Sequence, residues 1–208
     1  MRVDIDARML RSGGIGRYIR EIVGPWLTSG QLSAVRFYGD VADLERWLSG
    51  IGAPGNVDIE PWDDPVYSVR AQLHWVTSRM RSRAWRPDVT FFPHFSAPLA
   101  AHPRSSVVVI HDLIHLLVPG AFPWWKRALA ARMIQRVAST ADGLITVSET
   151  SREHILEFLG SVEAPVEVIR NGVSEIFTQG SPAPESDAPF MLVVRSEEHT
   201  SELQSQFR

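Results

Sequence analysis

The sequence predicts an α/β protein built on a doubly wound parallel sheet with helices on both faces. Two observations carry this. Strand-like and helix-like runs alternate along most of the chain, and several strand runs, "SSVVVI" above all, are apolar on both faces. Strands sandwiched between two helical layers need that pattern, because neither face meets water. The composition agrees: with 44% hydrophobic and 22% charged residues, a chain of 208 can bury a sizeable core.

The elements follow in order. "RVDIDA" alternates apolar and acidic residues as a strand, and "RSGGIG" supplies a glycine turn. "GRYIREIVGPWL" then carries Tyr18, Ile19, Ile22 and Val23 at helical spacing, with Ile15 just ahead of it. "AVRFYGD" is a second strand and "VADLERWLSGI" a short helix after it. "YSVRAQLHWVTSRMRSRAW" reads as an amphipathic helix that ends before Pro87. "DVTFFPHF" and "SSVVVIHDL" are strands, and "PWWKRALAARMIQRVASTA" is a long helix with Pro123 at its start, where proline is tolerated. "DGLITVSET" is a strand; "SETSREHILEFLG" is a helix capped by Ser148 and closed by Gly160. "PVEVIRNG" is the last strand of the series.

One domain therefore fills residues 1–178. Residues 179–189, rich in Pro, Ser and acidic side chains, read as a linker, and the apolar run 190–194 as the first strand of a second domain. Fourteen mostly polar residues, 195–208, end the chain.

Composition also excludes functions. A net charge of −3 gives no electrostatic case for nucleic acid. With no cysteine, disulfides and thiolate chemistry are out, and a reducing compartment is the simple reading. The start, "MRVDIDARML", lacks the apolar core of a secretory signal. The longest apolar region, Ser106 to Phe122, is broken by His111, Asp112, His115, Pro119 and Gly120, so it cannot span a bilayer. A soluble, cytoplasmic protein is expected.

Ligands of doubly wound sheets sit at the carboxyl ends of the strands. After the first strand, Gly13 and Gly14 would let backbone approach an anion at the start of the next helix, and Arg17 would add a charged fork. The same residues also suit a tight turn with a solvated arginine. The spacing departs from G-x-G-x-x-G and no ribose-binding acid follows, which counts against a nicotinamide cofactor. Directly past "SSVVVI", His111 and Asp112 are placed to meet substrate, and His111 could act as acid, base or hydrogen-bond donor; a buried histidine satisfied by backbone fits His111 as well.

His111 and His115 have metal-ligand spacing. They leave a strand rather than sharing a helical face, and no glutamate lies between them, so no metal is expected. His115 reads as a packed histidine, and His94 fits either a cleft or a rigid loop. Asn171 and Gly172 suit a left-handed turn, from which Asn171 could reach a ligand. Two helices are basic: Arg70, Arg79, Arg81, Arg83 and Arg86 stud one; Lys126, Arg127, Arg132 and Arg136 stud the other beside Trp124 and Trp125. A solvated face and an anionic membrane surface both fit them.

As a set, "DIDARMLRSGGIGRYIREI", "VVIHDLIHLLVPGAF", "ADGLITVSETSREHI" and "VEVIRNGVSEIF" resemble, in order, the amino-terminal domain of family-four glycosyltransferases. The resemblance covers residues 1–194. It implies the Rossmann-like amino-terminal half of a GT-B fold and transfer, with retention, from a nucleotide-sugar donor to a glycan or lipid-linked acceptor. Gly13 and Gly14 match the family's glycine loop near the donor phosphates, with Arg17 opening the next helix. His111 matches a histidine that contacts the transferred sugar, and Asn171-Gly172 the turn before the interdomain linker. No cofactor and no metal are implied. A place at the inner face of the membrane would suit a lipid-linked acceptor.

The chain departs from the family after Val194. Where a donor domain would continue, residues 195–205 resemble the in-frame translation of a common short-read sequencing adaptor, so 195–208 are expected to be artefactual or disordered. The chain as written is then expected to be inactive. A sugar-nucleotide epimerase half and a non-catalytic glycan- or partner-binding module are the alternatives.

Overall fold

The computed structural model describes residues 1–81, 84–99, 103, 105–118, 120 and 122–173. The chain divides into two units, Met1–Asn171 and Gly172–Arg208, and only Gly172 and Val173 of the second are described. The expected linker 179–189, the strand 190–194 and the tail 195–208 lie outside the described residues.

The first unit holds β1 (Arg2–Asp6), α1 (Gly13–Thr28), β2 (Ala34–Gly39), α2 (Val41–Gly50), β3 (Val57–Pro61), α3 (Val69–Arg81), β4 (Val89–Phe92), β5 (Ser106–Val109), α4 (Ile114–Leu117), α5 (Trp124–Ala138), β6 (Gly143–Thr146), α6 (Glu149–Leu159) and β7 (Val166–Val168). The seven strands form one sheet in the order β3-β2-β1-β4-β5-β6-β7, and each pair is parallel. This is the doubly wound Rossmann-like sheet that the alternation predicts.

Two cores result, one per face. Ile19 and Val23 of α1 and Leu44 of α2 pack with Val3, Ile5 and Phe37. Trp75 of α3, Met133 and Ile134 of α5 and Ile155 of α6 pack with Phe92, Val108 and Leu144. Because β1 is covered on both sides, its acidic alternation cannot face water, and Asp4 and Asp6 are buried. Asp4 accepts hydrogen bonds from the Tyr38 hydroxyl (3.3 Å) and the Trp85 indole N–H (2.6 Å), which replace lost hydration.

Four local features differ from the sequence reading. Helix α1 starts at Gly13, so Gly13 and Gly14 form its first turn rather than a turn ahead of it. Strand β3 was not expected: its Asp58 and Glu60 and its half-exposed edge position hide the apolar signal. The single turn α4 after β5 was also unforeseen. Gly172 does not take the positive φ expected of it, which Gly30, Gly52, Gly120 and Gly160 do. The caps behave as read: the Ser148 hydroxyl accepts the Ser151 N–H at 3.1 Å, and Pro123 stands at the N-cap of α5.

A candidate functional site at the carboxyl edge of the sheet

The strand order reverses between β1 and β4, so the connections leaving those two strands part and open a crevice. Arg8, two residues past β1, is fixed there. Its Nε and one terminal nitrogen donate to Asp6 at 2.9 and 2.7 Å, and that nitrogen also donates to the Ser96 carbonyl at 3.1 Å in the loop after β4. The guanidinium lies over the Trp62 ring, 3.7 Å from its centroid. One fork, one carbonyl and one aromatic face thus tie together the ends of β1, β3 and β4. Beside them is a cavity of about 170 Å³ lined by Arg8, Arg11, Asp40, Asp43, Trp62 and Asp64. Asp64 is itself buried and accepts from Arg70 Nε at 2.6 Å and His74 Nδ1 at 2.7 Å. Sequence reasoning missed this cluster. Arg8 and Trp62 are far apart in the chain, and neither stands in a motif.

Across the switch point, the loops after β4 and β5 bring three histidines together. His94 is buried, and its Nδ1 accepts the Ser96 N–H at 3.2 Å. Burial, reinforced by His111, His115 and Arg8, lowers its pKa to about 3. His94 is thus a neutral loop-former, which decides between its two sequence readings for the rigid loop. His115 stacks on Phe122 (4.4 Å) and meets Phe95 edge-on, the packing role expected of it.

His111 differs from both. It is half-buried, and its Nε2–H donates to the Pro93 carbonyl at 2.9 Å. Burial lowers its pKa, with Pro93 and Asp112 opposing. The Pro93 contact fixes the tautomer of the neutral ring and leaves Nδ1 as a hydrogen-bond acceptor with no protein partner among the described residues. Asp112 is exposed, and its carboxylate accepts the Ile114 N–H at 3.0 Å, closing the start of α4. Among the described residues no three His, Cys, Asp or Glu side chains converge as a metal site.

Helix α1 completes the crevice. Tyr18, one turn beyond Gly14, sets its ring edge-on to His111, so the glycine turn and the histidine share one end of the sheet. A side-chain carbon built on Gly13 or Gly14 would meet nothing within 4 Å, whereas one on Gly16 would collide with the Leu10 carbonyl oxygen. Packing therefore demands Gly16, which the sequence reading passed over, and leaves Gly13 and Gly14 open to what lies outside. Arg17 is exposed in the second turn of α1. Asn171 is exposed three residues past β7, two strands away from β5, so the topology does not set it beside His111.

Residues 13–172 match the family described as "Glycosyl transferase 4-like domain". The chain is also 33% identical over 100 residues to proteins named glycogen synthase from two Mycobacterium tuberculosis strains, CDC 1551 / Oshkosh and ATCC 25618 / H37Rv. That stretch covers 44% of this chain and 23% of each relative's length.

Proposed function

Since the chain belongs to the glycosyl transferase 4-like domain family, we propose that it is the acceptor-side half of a retaining glycosyltransferase. The intact protein moves a sugar from a nucleotide-sugar to a hydroxyl of a glycan or lipid-linked acceptor. In that step the bond between the anomeric carbon and the diphosphate oxygen breaks, and a bond to the acceptor oxygen forms on the same face. The acceptor proton passes to the departing phosphate oxygen, so no strong protein base is needed.

One observation carries this reading. Gly13 and Gly14 open α1 at a cost in helix propensity of up to about 1 kcal/mol each relative to alanine, although packing leaves room for a side chain at both. The bare, positively polarised helix start suits a phosphate group brought close to backbone N–H donors. His111, held by Pro93 and Tyr18 at the same end, offers Nδ1 to a hydroxyl of the transferred sugar. Arg17 adds positive charge one turn on, and Asp112 shapes the loop that carries His111. The relatives' name, glycogen synthase, favours a growing polysaccharide among the candidate acceptors.

The 208-residue chain alone is read as inactive, with donor binding assigned to a further domain. The experiment measures nucleoside-diphosphate release from a panel of sugar nucleotides by the full gene product and, in parallel, by the 208-residue chain. Acceptor-dependent release by the first and none by the second supports the reading. An isomerised sugar nucleotide formed without acceptor would replace it with an epimerase.

A further inference from the structure

We propose that the outer face of α4, α5 and α3 docks on an anionic lipid bilayer, a partner independent of the transfer chemistry. The start of α5 exposes Trp124 (79%) and Trp125, and α4 with its following residue exposes Ile114, Leu117 and Val118. These belong to one unit, because Arg127 of α5 donates to the Leu116 carbonyl of α4 at 3.2 Å. On α3, Val69 (76%), Leu73 (62%) and Met80 are exposed at helical spacing. Both long helices reach one residue of the loop after β4: Gln72 of α3 accepts the Leu99 N–H at 2.6 Å, and Arg136 of α5 donates to the Leu99 carbonyl at 3.2 Å. Large apolar side chains left in water on adjoining helices mark a contact surface.

Charge selects the occupant. Neither α3 nor α5 contains an acidic residue, while Lys126, Arg132 and Arg136 stand exposed on α5, and Lys126 Nζ sits 5.4 Å from the Trp125 ring centroid. Acids facing this surface from neighbouring elements are few or engaged. Asp112 caps α4, and Asp64 holds Arg70 and His74. Glu149, Glu153 and Glu157 stand exposed on α6, whose C-terminal end shares a cleft of about 290 Å³ with the end of α5. Tryptophan and long aliphatic groups beside cations are the composition that seats a helix at the headgroup level of anionic bilayers. No helix among the described residues is long and apolar enough to cross a membrane, so the contact lies on the surface.

The test is co-sedimentation of the full chain with vesicles of phosphatidylcholine alone and of phosphatidylcholine mixed with phosphatidylglycerol. Binding to the mixed vesicles should be at least about tenfold tighter and weaken with salt. The pair K126E/R132E and the pair W124A/W125A should each lower it by about tenfold or more, with helical circular dichroism unchanged, while E153Q on α6 leaves it intact. Absent binding, equal partition to both vesicles, or full binding by either pair would overturn the proposal. So would self-association of the chain that W124A/W125A abolishes without any lipid binding, which would assign the face to a second copy.

Discussion

The ring of Tyr18 meets the imidazole of His111 edge-on, with 4.9 Å between centroids and the planes at 90°. Tyr18 comes from α1 and His111 from the loop after β5, so this contact joins the glycine turn to the histidine across the switch point. With Nε2–H held by Pro93, neither the rotation nor the tautomer of His111 is left to chance.

Replacing His111 by alanine should lower turnover of the full gene product by about 10²-fold, the scale of losing one positioned hydrogen bond at a reacting centre. Nucleoside-diphosphate release measures it. Since burial lowers the pKa of His111 from 6.5, the rate should stay flat as pH falls through 6.5 and decline only below it. A decline centred at or above 6.5 contradicts a neutral, accepting Nδ1.

Among the glycines, stability and turnover should separate. G16A drives a methyl into the Leu10 carbonyl and should cost about 1–3 kcal/mol, read as a lower urea midpoint. G13A and G14A should leave the midpoint unchanged or raise it, by up to about 1 kcal/mol, while donor turnover falls. Wild-type turnover in both would remove the helix start from the site.

The Arg8–Asp6 pair is buried, with side-chain exposures of 2% and 7%. R8M leaves Asp6 as an unpaired buried charge and should destabilise the fold by about 3–5 kcal/mol. The double variant D6L/R8M should recover most of that loss, because no charge is then stranded. Chemical denaturation of the four proteins closes the cycle, and equal losses in single and double variants would contradict the pairing.

His94 makes the fold acid-sensitive. Its pKa is about 3 when folded and 6.5 unfolded, so below pH 6.5 the unfolded chain takes up a proton that the folded one refuses. Stability is therefore lost as pH falls from about 6.5 towards 3, by roughly 1.4 kcal/mol per pH unit at the steepest. H94N, whose amide oxygen can accept the Ser96 N–H in place of Nδ1, should lose less between pH 6.5 and 5 than the wild type. Parallel slopes would contradict this.

Much of the fold is legible in the sequence because parallel strands advertise themselves: "SSVVVI" must be buried on both faces, and β5 is. What escaped was whatever lacked that signature. Strand β3 lies at the sheet edge, where its exposed Asp58 carboxylate pairs with the largely buried Arg36. At the site, His111 stood out because it directly follows such a strand. Gly16 did not, since only the approach of the Leu10 carbonyl, itself a product of the fold, distinguishes it from Gly13 and Gly14. The link between Arg8 and Trp62 depends on β3 pairing next to β2, which no local pattern announces.

Strand β1 precedes the other strands of this sheet in the chain yet sits in mid-sheet, pairing Val3 with Val35 on one side and with Val89 on the other. One flank can close as soon as β2 emerges, while the other must wait for β4. Until then an edge rich in unpaired backbone is open to any strand that passes. Synthesis speed through the segment between β2 and β4 therefore becomes a determinant of yield. Slowing translation there should raise aggregation without altering a single contact of the finished fold.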